Sequence, residues 1–138
     1  MTELTPEYIE QLMRNVPAGQ QEIRDAISIK ESAPGSVVYE IDVPRSWTNL
    51  NGGIFGGFIN LMAEAAAGMA TFAYGVRNVA ITSSTNFIRA VAPQRLVVSA
   101  ETTHKGRTTS VCHIVIRTPE EKLIAETTFT MFILGPLE

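Results

Sequence analysis

The stretch "GGIFGGFINLMAEAAAGMATFAYG", residues 52–75, limits the fold more than any other part of the chain. It is the one long apolar run, and its spacing predicts a helix from Gly56 to about residue 74. Phe58, Ile59, Leu61, Met62, Ala65, Met69 and Phe72 leave it apolar nearly all round. Such a helix is expected to be wrapped by other structure. The run carries Glu64 and Asn60 and has no basic flanks, so it reads as a buried helix of a globular fold, not as a membrane span.

The rest of the chain has a different period. Thr5 and Pro6 open a short helix with Ile9, Leu12, Met13 and Val16 on one side, and "VPAG" stops it. "AISIKES" and "SVVYEIDV" read as strands around the turn at Ala33, Pro34 and Gly35. After Gly75 four β-rich runs follow: "NVAITSSTNFIRAV", "RLVVSAETTH", "TTSVCHIVIRT" and "KLIAETTFTMFIL". In the third, Cys112, Ile114 and Ile116 share one face, with His113, Val115 and Arg117 on the other. Two strands, one helix and four strands make an α+β pattern, an antiparallel sheet covered by a single helix. With 138 residues and no linker, the chain is expected to form one domain over 1–138.

Several functions are disfavoured. A net charge of -3 gives no basic excess for nucleic acid. Cys112 is the single cysteine, which excludes an internal disulfide and suits a reducing compartment; it is expected to be a core residue. The polar, acidic start "MTELTPEYIEQ" does not read as a secretory signal, so a cytoplasmic protein is expected. No His, Cys and acid spacing suggests a metal. "TSS" at residues 82–84 lacks the glycines of a serine nucleophile elbow. His113 reads as structural, and His104 flanks a turn where it could meet a ligand. Trp47 is expected to pack in the loop before the helix.

Glu64 carries the chemistry of the run. Asn60, Leu61, Ala67 and Gly68, its neighbours one turn away, include no Lys or Arg. Either the carboxylate meets solvent or a distant Arg, or it is a base or nucleophile at the bottom of a pocket, tuned by burial. The glycines of "GGIFGG" could serve only as a tight turn. They could also open the helix N-terminus, with its free N–H groups and partial positive charge, to a developing oxyanion.

At these residues the chain resembles the hotdog-fold thioesterases of the phenylacetyl-CoA (PaaI-like) type. "NLNGGIFGG", six residues and then Glu64 match that family's spacing at Asn49, Gly52, Gly56 and Gly57. "NFIRAVAP" and "THKGRTTSVCHIVI" resemble its later strands and basic turn. The resemblance implies a hotdog fold, a sheet wrapped around one long central helix, in a homodimer or homotetramer with sites shared between subunits. It implies hydrolysis of an acyl- or aryl-CoA thioester, with coenzyme A as part of the substrate and no separate cofactor. The Gly56 amide would polarise the carbonyl, Glu64 of a partner would activate water or attack, and Asn49 would orient water or the loop before the helix. Phe55, Gly57, Arg89, Ala90, Lys105, Gly106, Arg107 and Thr108 would contact the substrate or its coenzyme A arm. Phe55 and Ala80 depart from the family's usual His and Ser or Thr, which motivates an alternative: a non-catalytic acyl-CoA binding protein. A hydratase would want a His near an Asp at the site, and "GGIFGG" offers none.

Overall fold

The computed structural model describes residues 5–13 and 20–137. Helix α1 (Pro6–Met13) starts as expected, with the Tyr8 amide donating to Thr5 Oγ1 at 3.2 Å. Val16 and the "VPAG" stop lie outside the described residues. Helix α2 (Gln21–Ala26) was not anticipated. Only Ile23 of its six residues is buried, so it carries little apolar period to read.

Strands β1 (Ile27–Ala33) and β2 (Ser36–Asp42) pair around the expected turn. A short 3-10 turn (Arg45–Trp47) and a loop lead to helix α3 (Gly56–Phe72). Strands β3 (Val76–Phe87), β4 (Arg95–Lys105), β5 (Thr109–Arg117) and β6 (Leu123–Pro136) complete one antiparallel sheet in the order β1-β2-β4-β5-β6-β3. The α+β architecture inferred from the changing period is the one observed.

One face of the sheet carries the core. Val37, Tyr39 and Ile41 of β2, Leu96 and Val98 of β4, Cys112, Ile114 and Ile116 of β5, and Phe129 and Met131 of β6 are buried. They meet Met62, Ala63, Ala66, Ala67 and Ala70 of α3. The alanines let the helix approach the sheet closely, and each large side chain buried there contributes about 1.5–3 kcal/mol. Polar atoms in this layer find partners. Tyr39 Oη donates to the Met62 carbonyl at 2.5 Å, and burial pushes its phenol above the usual range, so it stays a donor. The Thr71 and Ser110 hydroxyls are 2.9 Å apart, beside Cys112, which is a core residue as expected.

The sheet wraps α3 as expected, and in the single chain it leaves one side of the helix uncovered. Leu61, Glu64, Gly68 and Phe72 recur at helical spacing on that side and remain exposed or half-buried.

Candidate active site

The loop before α3 is built around Asn49. Its Oδ1 accepts the Asn51 amide at 2.9 Å and the Gly53 amide at 3.1 Å. The Asn49 amide returns a bond to the Gly53 carbonyl at 2.7 Å. The tight reversal needs Gly52 at φ 83°, which a side chain rarely tolerates. The Ile54 amide donates to the Val91 carbonyl and the Phe55 amide to the Trp47 carbonyl, both at 2.8 Å. Trp47 is buried and stacks on Phe58 with centroids 4.5 Å apart, as packing in this loop required. The chain therefore enters the helix on a fixed path.

Phe55 caps α3 with an extended backbone and no side-chain hydrogen bond. The Phe58 and Ile59 amides both donate to its carbonyl, at 2.9 and 3.3 Å. Among the described residues, the Gly56 and Gly57 amides have no acceptor. Two exposed rings flank them. A Cβ on Gly56 would stand 3.3 Å from the Phe87 ring, and one on Gly57 would stand 2.9 Å from the Phe55 ring. Glycine at both positions keeps this end of the helix approachable. Phe87 was not anticipated as part of the site. It was legible only as one apolar residue of a strand, and its neighbour across the fold was not.

Ala90 also lies here: Cβ atoms at 53 and 90 would be 3.8 Å apart. Arg89 adjoins it, exposed, with its amide donating to the Ile124 carbonyl at 3.1 Å. Asn49, Phe55, Gly56, Gly57, Arg89 and Ala90 are thus brought to one end of α3.

Glu64 lies two turns along the helix. The burial expected around it does not occur in the single chain: its side of α3 is the uncovered one, and the residue is exposed. It lines a groove of about 770 Å³ between α2 and β3, with Arg24, Leu61, Met69, Asn78 and Ala80. Strand β3 closes one side. Thr85 Oγ1 donates to Asn60 Oδ1 at 2.6 Å, and Asn78 Nδ2 donates to the Gly68 carbonyl at 3.3 Å, so Glu64 lies between two pins joining helix to strand. Register places Ser83 opposite the inward-facing Phe129 and Ala80 opposite Met131. Ser83 is therefore on the groove side of β3.

The basic turn is elsewhere. Lys105, Gly106, Arg107 and Thr108 form the β4–β5 hairpin, closed by the Gly106 amide on the Thr109 carbonyl at 2.8 Å. Lys105 Nζ sits 5.0 Å from the centroid of Tyr74, just past the C-terminal end of α3. Seventeen helical residues, about 25 Å, separate this hairpin from the Gly56 amide. A single chain does not bring the two together. Among the described residues, no group of acids, His and Cys could hold a metal, and no helix is long and apolar enough to cross a membrane.

A sequence profile described as the thioesterase superfamily matches residues 51–125, from the glycine loop to the start of β6. The chain belongs to the thioesterase superfamily.

Solved structures agree with this family and its hotdog fold. A hypothetical thioesterase of Streptococcus pneumoniae, solved with coenzyme A, is 29% identical, with 83% of this chain and 90% of that one covered and a TM-score of 0.79. A Streptococcus mutans protein bound to acetyl-CoA is 25% identical, with 81% and 91% covered and a TM-score of 0.78. Zebrafish thioesterase superfamily member 2 is 23% identical and shows the shared fold, with 96% and 99% covered and a TM-score of 0.85. The six-stranded sheet and single long helix of this thioesterase-superfamily chain are thus a hotdog domain.

Proposed function

We propose that this protein hydrolyses an acyl- or aryl-CoA thioester to the free acid and coenzyme A. The observation that carries the reading is the uncapped start of α3. The Gly56 and Gly57 amides have no acceptor among the described residues and are framed by glycine, which suits an oxygen that gains negative charge. Glu64 supplies the carboxylate that activates water or attacks the acyl carbon. Coenzyme A enters as part of the substrate, and the chemistry needs no further cofactor. The coenzyme A and acetyl-CoA held by the two streptococcal relatives support this class of substrate.

The reading requires a homodimer or homotetramer. In one chain the amides and the basic hairpin lie at opposite ends of α3, and Glu64 faces open space. A second copy laid along β3 and the open face of α3 would supply the missing half of each site. Lys105 and Arg107 of one copy would then hold phosphates of a substrate whose carbonyl meets Gly56 of the other. A cytoplasmic setting suits the single buried thiol of Cys112.

The test is free thiol release from short, long and aromatic acyl-CoA substrates, with wild type and Glu64→Gln side by side. Turnover should fall by roughly 10²–10⁴-fold in the variant while substrate still binds. The position of Phe55, an aromatic ring at the glycines, favours a second reading: an acyl-CoA binding protein without turnover. Tight binding with no thiol release from any substrate would select it.

A further inference from the structure

Asn60 is the second polar intrusion into the apolar run, one turn before Glu64, and the sheet holds its carboxamide. Thr85 Oγ1 lies 2.6 Å from Asn60 Oδ1 and 2.8 Å from Thr127 Oγ1. A contact of 2.6 Å suits an O–H···O bond and is shorter than an amide N–H usually makes. The Thr85 proton therefore goes to Oδ1, and the buried Thr127 hydroxyl donates to Thr85. This relay fixes which way round the carboxamide sits, with its NH2 turned from Thr85. Among the described residues those two hydrogens have no acceptor, although Asn60 is half-buried. Residues four apart on a helix have Cβ atoms about 5–6 Å apart. A long helical side chain also lies over the turn N-terminal to its own Cα, so the Glu64 carboxylate reaches back over Asn60. Other donors of the groove serve elsewhere. Arg24 is engaged by Asp25 at 2.6 Å, Asn78 Nδ2 by the Gly68 carbonyl at 3.3 Å, and Gln20 stands across the groove at the start of α2.

We propose that Asn60 is the positioning residue of Glu64: its Nδ2 donates to one carboxylate oxygen and leaves the other for the reaction, while Thr85 and Thr127 hold Asn60 itself. The assignment rests on the thioesterase reading above and serves Glu64 as base or as nucleophile. A glutamate on an open helix face has several rotatable bonds and spends most of its time out of line with any one target. A donor fixed beside it narrows that range and raises the fraction of time in a reactive geometry. Because the acceptor is charged, the bond is stronger than one between neutral groups. The arrangement also accounts for the residue type. Asn is a poor helix former, and an apolar side chain would match the rest of this run, but neither Leu nor Ala could offer a hydrogen to the carboxylate.

The test compares wild type, Glu64→Gln, Asn60→Asp and Asn60→Ala, with each Asn60 change also made in the Glu64→Gln background. Asn60→Asp keeps the shape and the acceptor for Thr85 but puts a carboxylate oxygen where the NH2 was. Asn60→Ala removes the donor without adding charge. The measurements are thiol release from the acyl-CoA substrates that wild type hydrolyses and calorimetric binding of a non-hydrolysable acyl-CoA thioether. Asn60→Asp should lower kcat about 10–100-fold and Asn60→Ala about 10-fold, with KM and thioether binding unchanged. In the Glu64→Gln background neither change should lower kcat further, because no carboxylate is left to hold. Should Asn60→Asp fail to fold, the two Asn60→Ala proteins carry the same comparison. Wild-type kcat in the Asn60 variants, beside a slow Glu64→Gln, overturns the assignment and leaves the thioesterase reading standing. A loss by the same factor in both backgrounds, or one matched by weaker thioether binding, also overturns it, because a structural role does not depend on Glu64. Wild-type kcat in Glu64→Gln removes the role of Glu64 and this assignment with it. No turnover by wild type on any thioester removes the thioesterase reading as well.

Discussion

Asn49 shows how much one side chain can organise. A single carboxamide oxygen takes two amides of the loop that delivers Gly56. Replacing it with Ala strips both of their acceptor, and Asn49→Ala should lose about 1–2 kcal/mol of stability in urea titrations. Asn49→Asp keeps the oxygen and should recover most of that loss. Equal stability in Ala and Asp variants would show that the loop holds without this oxygen. Such residues were legible where the residue type itself is unusual for its place. An acid in the most apolar run marked Glu64, while Asn49, three residues before the paired glycines, was marked through the family's spacing. The exposure of Glu64 was not legible, because it depends on which side of the helix the sheet covers. Phe87 and Asn78 were hidden for a related reason. Each acquires its meaning from a helix residue distant in sequence, Gly56 and Gly68.

Among the elements, α3 has an unusual start. A helix N-terminus is ordinarily closed by Ser, Thr, Asp or Asn, and here the position holds Phe55. Phe55→Ser would give the Gly57 or Phe58 amide a side-chain acceptor. The variant should be more stable by about 0.5–1 kcal/mol in thermal or urea unfolding, yet slower in thiol release. A gain in stability with unchanged turnover would mean that the amides are not used. The elements themselves were mostly readable. The strands and the long helix are largely legible from period, since the inward positions alternate in β2, β4 and β5. Two misreadings have local causes. Helix α2 is too short and too polar to show a period. The third strand ends at Phe87, not Val91, because the Ile88 and Arg89 amides both turn to the Ile124 carbonyl and the Val91 carbonyl turns to Ile54.

The whole molecule ends in an open strand. β3 is an edge of the sheet, twelve residues long, and Val79 and Ile81 are exposed on it. Phe132 pairs directly with Val79 and is also exposed. Long apolar edges invite pairing with another chain, and a lysine on such an edge opposes it. Ile81→Lys should give a monomer by light scattering and should lose turnover with it. A monomer that keeps full activity would contradict a shared site. Alternating strands do not reveal which of them will lie at the edge, so this surface was legible only through family resemblance.

The distance along α3 between the free glycine amides and the Lys105 hairpin reaches beyond the single protein. If every working site borrows its two ends from different copies, a defective chain does not fail alone. In a cell making two versions, it would join sound chains and lend its fault to a site whose other half is intact. Damage of this kind would be inherited as a dominant trait.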